Sequence, residues 1–236
     1  MKNIKIFENP DILANAFAQK FVELSESKPF FNTCLSGGTT PKLLFEKLAT
    51  LKEMPKWENL SFFWGDERCV PPTDSESNYL MAKNALFDQI SIPNENIHRI
   101  KGENYAKLEV VRYGAELLTC LPQTKTIPKF DLLLLGMGND GHTASIFPYN
   151  IELFNSSNIL EISLHPTSMQ KRISITGKII EHALNIVFLV TGKNKAEIIK
   201  EIHNQTGNYK NYPAWLVQEM RPNTEWWLDS EAASLI

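Results

Sequence analysis

Short apolar runs alternate along the chain with longer segments in which apolar residues recur every three or four positions. The short runs predict strands, and the longer segments predict amphipathic helices. Strands are expected at residues 3–7, 30–35, 60–64, 97–100, 130–135, 172–176 and 186–190, and at an edge position for 226–228. Helices are expected at residues 11–26, 78–87, 105–121, 177–184 and 196–203, and from residues 41 and 229 onward. This alternation indicates an α/β fold with a mostly parallel sheet flanked by helices.

Two of the predicted helices carry more specific expectations. The helix at 105–121 is expected to face inward with one apolar stripe, made of Leu108, Val111, Ala115 and Leu118. The helix after residue 40 is expected to have Pro41 at its first position, because that position leaves its backbone N–H without a helical partner and proline has none.

The strand at 130–135 is predicted to be central, because a continuous apolar run indicates burial on both faces of a sheet. It ends in a glycine-rich turn, residues 136–142, that presents Asp140 and His142. In open α/β sheets, ligands bind at the carboxyl ends of the strands, and this turn lies there. Gly141 is expected to begin a helix just before the histidine.

Three interpretations of this turn are open. It is a plain strand-to-helix connection with a surface histidine, a dinucleotide site, or a hydrolytic or isomerising site that uses His142. Residues 136–141 satisfy G-x-G-x-x-G, and Glu161 follows at the spacing of a ribose-binding acid. Pro148, however, leaves no room for the full crossover helix of a dinucleotide site. The third interpretation is preferred, since an imidazole, with an ordinary pKa of about 6.5, exchanges protons at neutral pH.

A second loop with chemical potential is Ser36-Gly37-Gly38-Thr39-Thr40, between a predicted strand and a predicted helix. Small residues at a helix N-terminus expose backbone N–H groups that favour a phosphate or carboxylate. The loop is either such an anion site or a plain capped turn, because no Walker lysine follows it.

Charged residues follow two further strands. Arg68 lies in a run with Asp66 and Glu67 after the strand at 60–64, and Lys195 lies near the start of the helix at 196–203. Both are either solvated surface charges or partners of an anion bound at the loop 36–40. Glu67 either takes part in chemistry or only orders the loop that carries Arg68.

Composition narrows the classes of function. The 236 residues fit one α/β domain spanning 1–236, or at most two closely joined lobes. A net charge of -3 gives no general attraction for nucleic acid or anionic membranes. No apolar run approaches a membrane span and no signal peptide is evident at the start, so a cytoplasmic protein is expected. Three cysteines and five histidines show no metal-ligand spacing, so no metal and no cofactor are expected.

Four separated motifs resemble the 6-phosphogluconolactonases. They are Ser36 to Pro41, Asp66 to Pro71 with Asp74 and Ser77-Asn78, residues 136–148, and a later set formed by 172–176, 192–196, 213–217 and 227–229. Ser174 stands where that family usually has threonine. The resemblance implies a Rossmann-like sheet shared with the sugar-phosphate isomerases and deaminases.

The resemblance also implies an activity and its site residues. The activity is hydrolysis of 6-phospho-D-glucono-1,5-lactone in the oxidative pentose phosphate pathway, with this small sugar-phosphate lactone as the partner and a monomer or weak homodimer as the expected state. His142 and Asp140 are the implied catalytic residues, and backbone N–H groups of Gly138 and Gly141 are expected to hold the oxyanion. The expected phosphate-binding residues are Ser36, Gly37, Gly38, Thr39, Thr40, Arg68, Arg172 and Lys195.

Two alternative functions remain. A glucosamine-6-phosphate deaminase resembles this chain in the Gly-Gly-Thr loop and the Asp-Gly-His turn, but deaminases have Asn-Glu-Pro where this chain has Ile146-Phe147-Pro148. A non-catalytic sugar-phosphate sensor would keep the fold and the phosphate loop, with little reason to retain both Asp140 and His142.

Overall fold

A computed structural model describes residues 1–51 and 55–236. Its helices are α1 (Pro10–Glu26), α2 (Thr39–Ala49), α3 (Asn78–Ala85), α4 (Ala106–Cys120), α5 (Gly177–His182), α6 (Ala196–Asn204) and α7 (Pro213–Met220). Its strands are β1 (Asn3–Phe7), β2 (Phe31–Leu35), β3 (Leu60–Trp64), β4 (Asp66–Arg68), β5 (Ile97–His98), β6 (Gln123–Thr124), β7 (Ile127–Pro128), β8 (Leu132–Leu135), β9 (Leu160–Leu164), β10 (Lys171–Ile175), β11 (Asn185–Val190) and β12 (Glu225–Asp229). None of the helices in these residues has the length and hydropathy needed to cross a membrane.

The main sheet has seven parallel strands in the order β1-β12-β11-β8-β2-β3-β5. This confirms the predicted α/β fold. β8 occupies the centre, and its four leucines are at most 1% exposed, as its continuous apolar run predicts. After β2 the chain builds outward through β3 and β5, whereas after β8 it builds in the opposite direction through β11 and β12. The strand order therefore reverses between β2 and β8, which is where open α/β sheets place their ligands.

A second, antiparallel sheet lies beside this reversal point. It has the order β4-β10-β9, and Arg172 of β10 lies directly opposite Arg68 of β4. Buried side chains of both sheets belong to one continuous core cluster. The division of the chain into domains stays a prediction.

The inward face predicted for α4 is wrong. Leu108 and Val111 are 68% and 70% exposed, and the buried face instead carries Glu109, Tyr113 and Leu117. Both stripes fit helical spacing, so periodicity alone does not choose between them. Hydrogen bonds determine which face is buried, because the Tyr113 hydroxyl donates to the Trp64 carbonyl and accepts from the Trp64 N–H, at 3.0 and 2.9 Å.

Three smaller expectations are also corrected. β12 is an inner strand rather than an edge strand, because β1 pairs along its whole length. After Asp229 the chain forms turns rather than a helix, since one bond of α-helical spacing, from the Ala233 N–H to the Asp229 carbonyl, is followed by shorter-range bonds. No helix begins at Gly141, where residues 143–146 close instead into a tight bridge between Thr143 and Ile146.

Candidate active site

A cleft opens where the strand order reverses, between the loop after β2 and the turn after β8. Most of the side chains and loops predicted to form the site line it: Ser36, Gly37, Gly38, Thr39, Thr40, Arg68, Gly138, His142, Arg172 and Lys195. Asp140 and Gly141 lie behind this lining rather than in it. Asn78, Ala144 and Thr191 also line the cleft, although the sequence analysis assigned none of them a role in the site.

His142 and Asp140 form a hydrogen-bonded pair. The imidazole Nδ1 lies 2.5 Å from Asp140 Oδ1, and the same oxygen accepts from the His142 backbone N–H at 3.2 Å. A carboxylate only accepts hydrogen bonds, so Nδ1 carries a proton and Nε2 of the neutral ring is free to take one. The pKa of Asp140 lies below its ordinary value: burial opposes this, but the hydrogen bond and charge of His142 outweigh it. Asp140 therefore stays ionised at neutral pH and holds the ring in one tautomer.

Gly138 makes room for this pair. A Cβ at position 138 would lie 2.0 Å from His142 Nδ1 and 2.7 Å from Asp140 Oδ1, so any side chain there would displace the ring. The glycine is thus required by the close approach of the imidazole.

The oxyanion role predicted for Gly138 and Gly141 is corrected by their backbone hydrogen bonds. The Gly138 N–H donates to the His142 carbonyl at 2.9 Å, and the Gly141 N–H donates to the Gly138 carbonyl at 3.2 Å. Both donors are used to close the turn and are not directed at a ligand. Gly141 has a φ of +80° and lies against the Tyr212 ring, so its task is to turn the chain.

The N-terminus of α2 is open to the cleft. Gly38 precedes the helix with a φ of +104°, and no side chain caps the first turn, so the N–H groups of Thr39 and Thr40 lack helical partners. The sequence analysis predicted Pro41 at the first position of this helix. It is instead the third residue, because the helix begins at Thr39. Exposed N–H groups and the helix dipole together favour an anion at this end of the cleft.

Arg68 and Arg172 form the cationic wall of the cleft. They lie directly opposite each other on β4 and β10, an arrangement in which like charges repel. Within residues 1–51 and 55–236, the buried Nε atom of each guanidinium has no hydrogen-bond partner. The pKa of Arg172 is lowered, first by burial and then by Arg68, while Asp66 opposes the shift. An anion placed between the two guanidinium groups would relieve the repulsion.

Lys195 lies on the opposite side of the cleft, beside the glycine-rich turn that carries His142. It directly precedes α6, and its ammonium donates to the Asn139 side-chain oxygen. Burial lowers the pKa of Lys195, and the nearby Asp140 opposes that shift. A lysine so placed is a cation of the site rather than a solvated surface charge.

Glu67 orders the loop that carries Arg68. Its buried carboxylate accepts from the Ser77 hydroxyl and from the backbone N–H groups of Arg68, Asn78 and Tyr79, at 2.8 to 3.0 Å. Burial raises the pKa of Glu67, and these four donors oppose the rise. With its oxygens occupied by the loop and the start of α3, the side chain has a structural task.

A buried chain of hydrogen bonds, which the sequence analysis missed, ties the segment just after His142 to β4 and β10. The Ser145 hydroxyl donates to Asp66 Oδ2 at 2.6 Å, and the Ser145 N–H donates to the Ser174 hydroxyl at 3.1 Å. The Ser174 hydroxyl accepts this hydrogen bond, and the hydroxyl of the threonine usual in the resembled family could accept it equally well. In the sequence, the one sign of this network was Asp66, an acidic residue just after an apolar strand. A solvated loop charge would explain such a residue equally well.

In the part of the chain that the structure describes, no three His, Cys, Asp or Glu side chains are grouped so as to hold a metal ion.

Comparison with known proteins gives consistent results. Residues 8–226 match the family model described as glucosamine-6-phosphate isomerases/6-phosphogluconolactonase. A protein of Haemophilus influenzae named 6-phosphogluconolactonase is 47% identical over 221 residues, covering 93% of each chain. The crystal structure of the devB protein superposes with a TM-score of 0.93 at 42% identity, covering 99% of both chains. The 6-phosphogluconolactonase of Trypanosoma brucei superposes with a TM-score of 0.86 at 27% identity, covering 99% of this chain and 98% of that one.

Proposed function

The chain belongs to the glucosamine-6-phosphate isomerase/6-phosphogluconolactonase family, and from this premise we propose that it hydrolyses 6-phospho-D-glucono-1,5-lactone to 6-phospho-D-gluconate. This reaction is a step of the oxidative pentose phosphate pathway. The observation that carries the proposal is that an imidazole held by a carboxylate shares one cleft with two opposed arginines. Such a cleft suits a substrate with a hydrolysable carbonyl at one end and a phosphate at the other.

The proposed first step is attack of water on the lactone carbonyl. His142 Nε2 accepts a proton from the water as its oxygen bonds to the carbonyl carbon, and the carbonyl oxygen becomes negative. The imidazolium that forms is stabilised by Asp140, to which its Nδ1–H is bonded. In the second step the bond between the carbonyl carbon and the ring oxygen breaks, and the imidazolium gives its proton to that oxygen. The products are a free carboxylic acid, which ionises, and the regenerated neutral His142.

We propose that phosphate binding fixes the substrate for this attack. Arg68 and Arg172 offer planar guanidinium donors, Lys195 adds a third cation, and the α2 N-terminus of the loop Ser36 to Thr40 adds backbone donors. Holding the phosphate at a distance from the carbonyl restricts the lactone to orientations in which water meets the reacting carbon.

Phe147 favours the lactonase over the deaminase within this family. Its ring centroid lies 4.5 Å from that of His142, where a deaminase has the glutamate that the resemblance associates with ring opening. An aromatic ring supplies no acid or base, so this position offers no carboxylate to assist the ring opening of an amino sugar.

The test is to follow freshly generated 6-phosphogluconolactone with the purified protein and without it, together with ammonia release from glucosamine 6-phosphate. The proposal predicts accelerated lactone loss and no ammonia. Lactone loss at the spontaneous rate would refute the proposal, and ammonia release would assign the chain to the deaminase side of its family.

A further inference from the structure

The hairpin between β9 and β10 carries a histidine that the mechanism does not use. His165 follows β9, and its backbone N–H donates to the Gln170 carbonyl at 2.9 Å, which continues the pairing of the two strands. It lies two residues beyond Ser163, the register partner of Arg172. Because side chains alternate between the faces of a sheet, His165 projects from the same face as Arg172 and Arg68.

His165 packs against Phe147, a ring that also contacts two residues of the cleft, although neither His165 nor Phe147 is part of the cleft lining. The Phe147 ring centroid lies 4.5 Å from the His142 ring, 5.5 Å from the His165 ring and 5.8 Å from the Arg172 guanidinium carbon. The three polar groups thus surround a single side chain. His165 is therefore on the arginine-bearing side of the cleft, close enough to Arg172 for that charge to affect its pKa.

The loop fixes which nitrogen of His165 is available. Its Nδ1 accepts from the backbone N–H groups of Thr167 and Ser168, at 3.3 and 3.2 Å, so Nδ1 carries no proton in the neutral ring. The proton is then on Nε2, which has no hydrogen-bond partner among residues 1–51 and 55–236. The pKa of His165 lies below its ordinary value because of burial first and then the charges of Arg172 and His142. The ring is therefore a neutral donor that its own loop orients.

We propose that His165 is a phosphate-binding residue, whose Nε2–H donates to a phosphate oxygen held by Arg68 and Arg172. This inference rests on the proposed function in taking a phosphorylated substrate. It adds a donor from the loop after β9 to the two guanidinium groups on β4 and β10.

The test uses two substitutions that separate the role of Nδ1 from the role of Nε2. His165→Asn keeps an oxygen near Nδ1 for the loop N–H groups and removes the Nε2 donor, whereas His165→Gln places an amide donor near Nε2. His182→Gln, in α5, is the matched control, since its Nδ1 lies 2.9 Å from the Lys178 carbonyl and its neighbours Lys178 and Glu181 are not residues of the cleft. Calorimetry then gives the affinities for 6-phosphogluconate and for inorganic phosphate, and steady-state kinetics gives kcat and KM.

We expect His165→Asn to weaken binding of both ligands by roughly tenfold, the usual effect of losing one hydrogen bond to a charged group. KM should rise by a similar factor with kcat and Tm little changed, and His165→Gln should recover most of the affinity. Unchanged affinity in the Asn variant would overturn the proposal, as would a loss for 6-phosphogluconate without a loss for phosphate. Because binding is measured without turnover, this outcome is independent of whether the protein hydrolyses the lactone.

Discussion

Replacing Gly138 by alanine should displace the His142 ring from Asp140 while leaving the fold intact, and under the proposed mechanism this lowers kcat. The added Cβ would lie 2.0 Å from His142 Nδ1, against an ordinary contact of at least 3.4 Å, so the ring must move by about 3.4 minus 2.0, or 1.4 Å. The backbone at Gly138 is outside the left-handed region, so alanine itself adds no strain there. A misplacement of about 1 Å in a catalytic group costs on the order of 100-fold in rate. We therefore expect kcat to fall roughly 100-fold, or about 2.7 kcal/mol of transition-state stabilisation.

Steady-state kinetics on fresh lactone and thermal unfolding test this expectation. Gly136→Ala is the matched control from the same turn, since its Cβ would meet its nearest neighbour, Ser36 Oγ, at 3.6 Å, an ordinary contact. Its kcat should stay within about threefold of wild type, as expected where no atom is displaced. In a His142→Ala background, Gly138→Ala should have little further effect, because both changes act on the same ring. A Gly138→Ala enzyme with normal kcat, or an equal loss in the two backgrounds, would refute the reasoning.

Three further substitutions probe other parts of the molecule. Under the proposed role of Lys195 as a phosphate-binding cation, Lys195→Ala should mainly raise KM for the lactone, because the contact would be made in ground and transition states alike; a fall in kcat at unchanged KM would argue against that role. Glu67→Gln should lower the free energy of unfolding by about 2–4 kcal/mol in urea titration, since it replaces a carboxylate that accepts four hydrogen bonds; a loss of kcat without loss of stability would instead place Glu67 in the chemistry. Tyr113→Phe should cost about 1–3 kcal/mol of stability, because the Trp64 N–H and carbonyl lose their shared partner; unchanged stability would show that water replaces the hydroxyl.

The sequence predicted the structure correctly where the spacing of apolar residues allowed only one arrangement of strands and helices. The continuous leucine run of β8 predicted a central strand, and the alternation of strands and helices predicted the parallel sheet. The prediction failed on α4, where two faces of the helix both carry residues at helical spacing. On α4, the stripe of Leu108 and Val111 and the stripe of Tyr113 and Leu117 are equally helical, and a hydrogen bond to a distant strand decides between them.

At the site, the sequence indicated which residues to group but not how each one acts. The resemblance grouped Asp140 with His142, and the structure adds the contact between them, 2.5 Å from Oδ1 to Nδ1. The backbone donors of Gly138 and Gly141 were misassigned, because a glycine in a motif does not reveal whether its N–H or its missing side chain matters. The opposition of Arg68 and Arg172 depends on the register of two strands that lie 104 residues apart, which no local pattern encodes.

The most direct test of the central claim is the kcat of His142→Ala on 6-phosphogluconolactone, measured beside wild type with a blank for spontaneous hydrolysis. General acid–base catalysis contributes about 10²- to 10⁴-fold, so kcat should fall by at least about 100-fold while KM changes little. A variant that keeps wild-type kcat, or that loses activity only through a higher KM, would show that His142 is not the group that moves the proton.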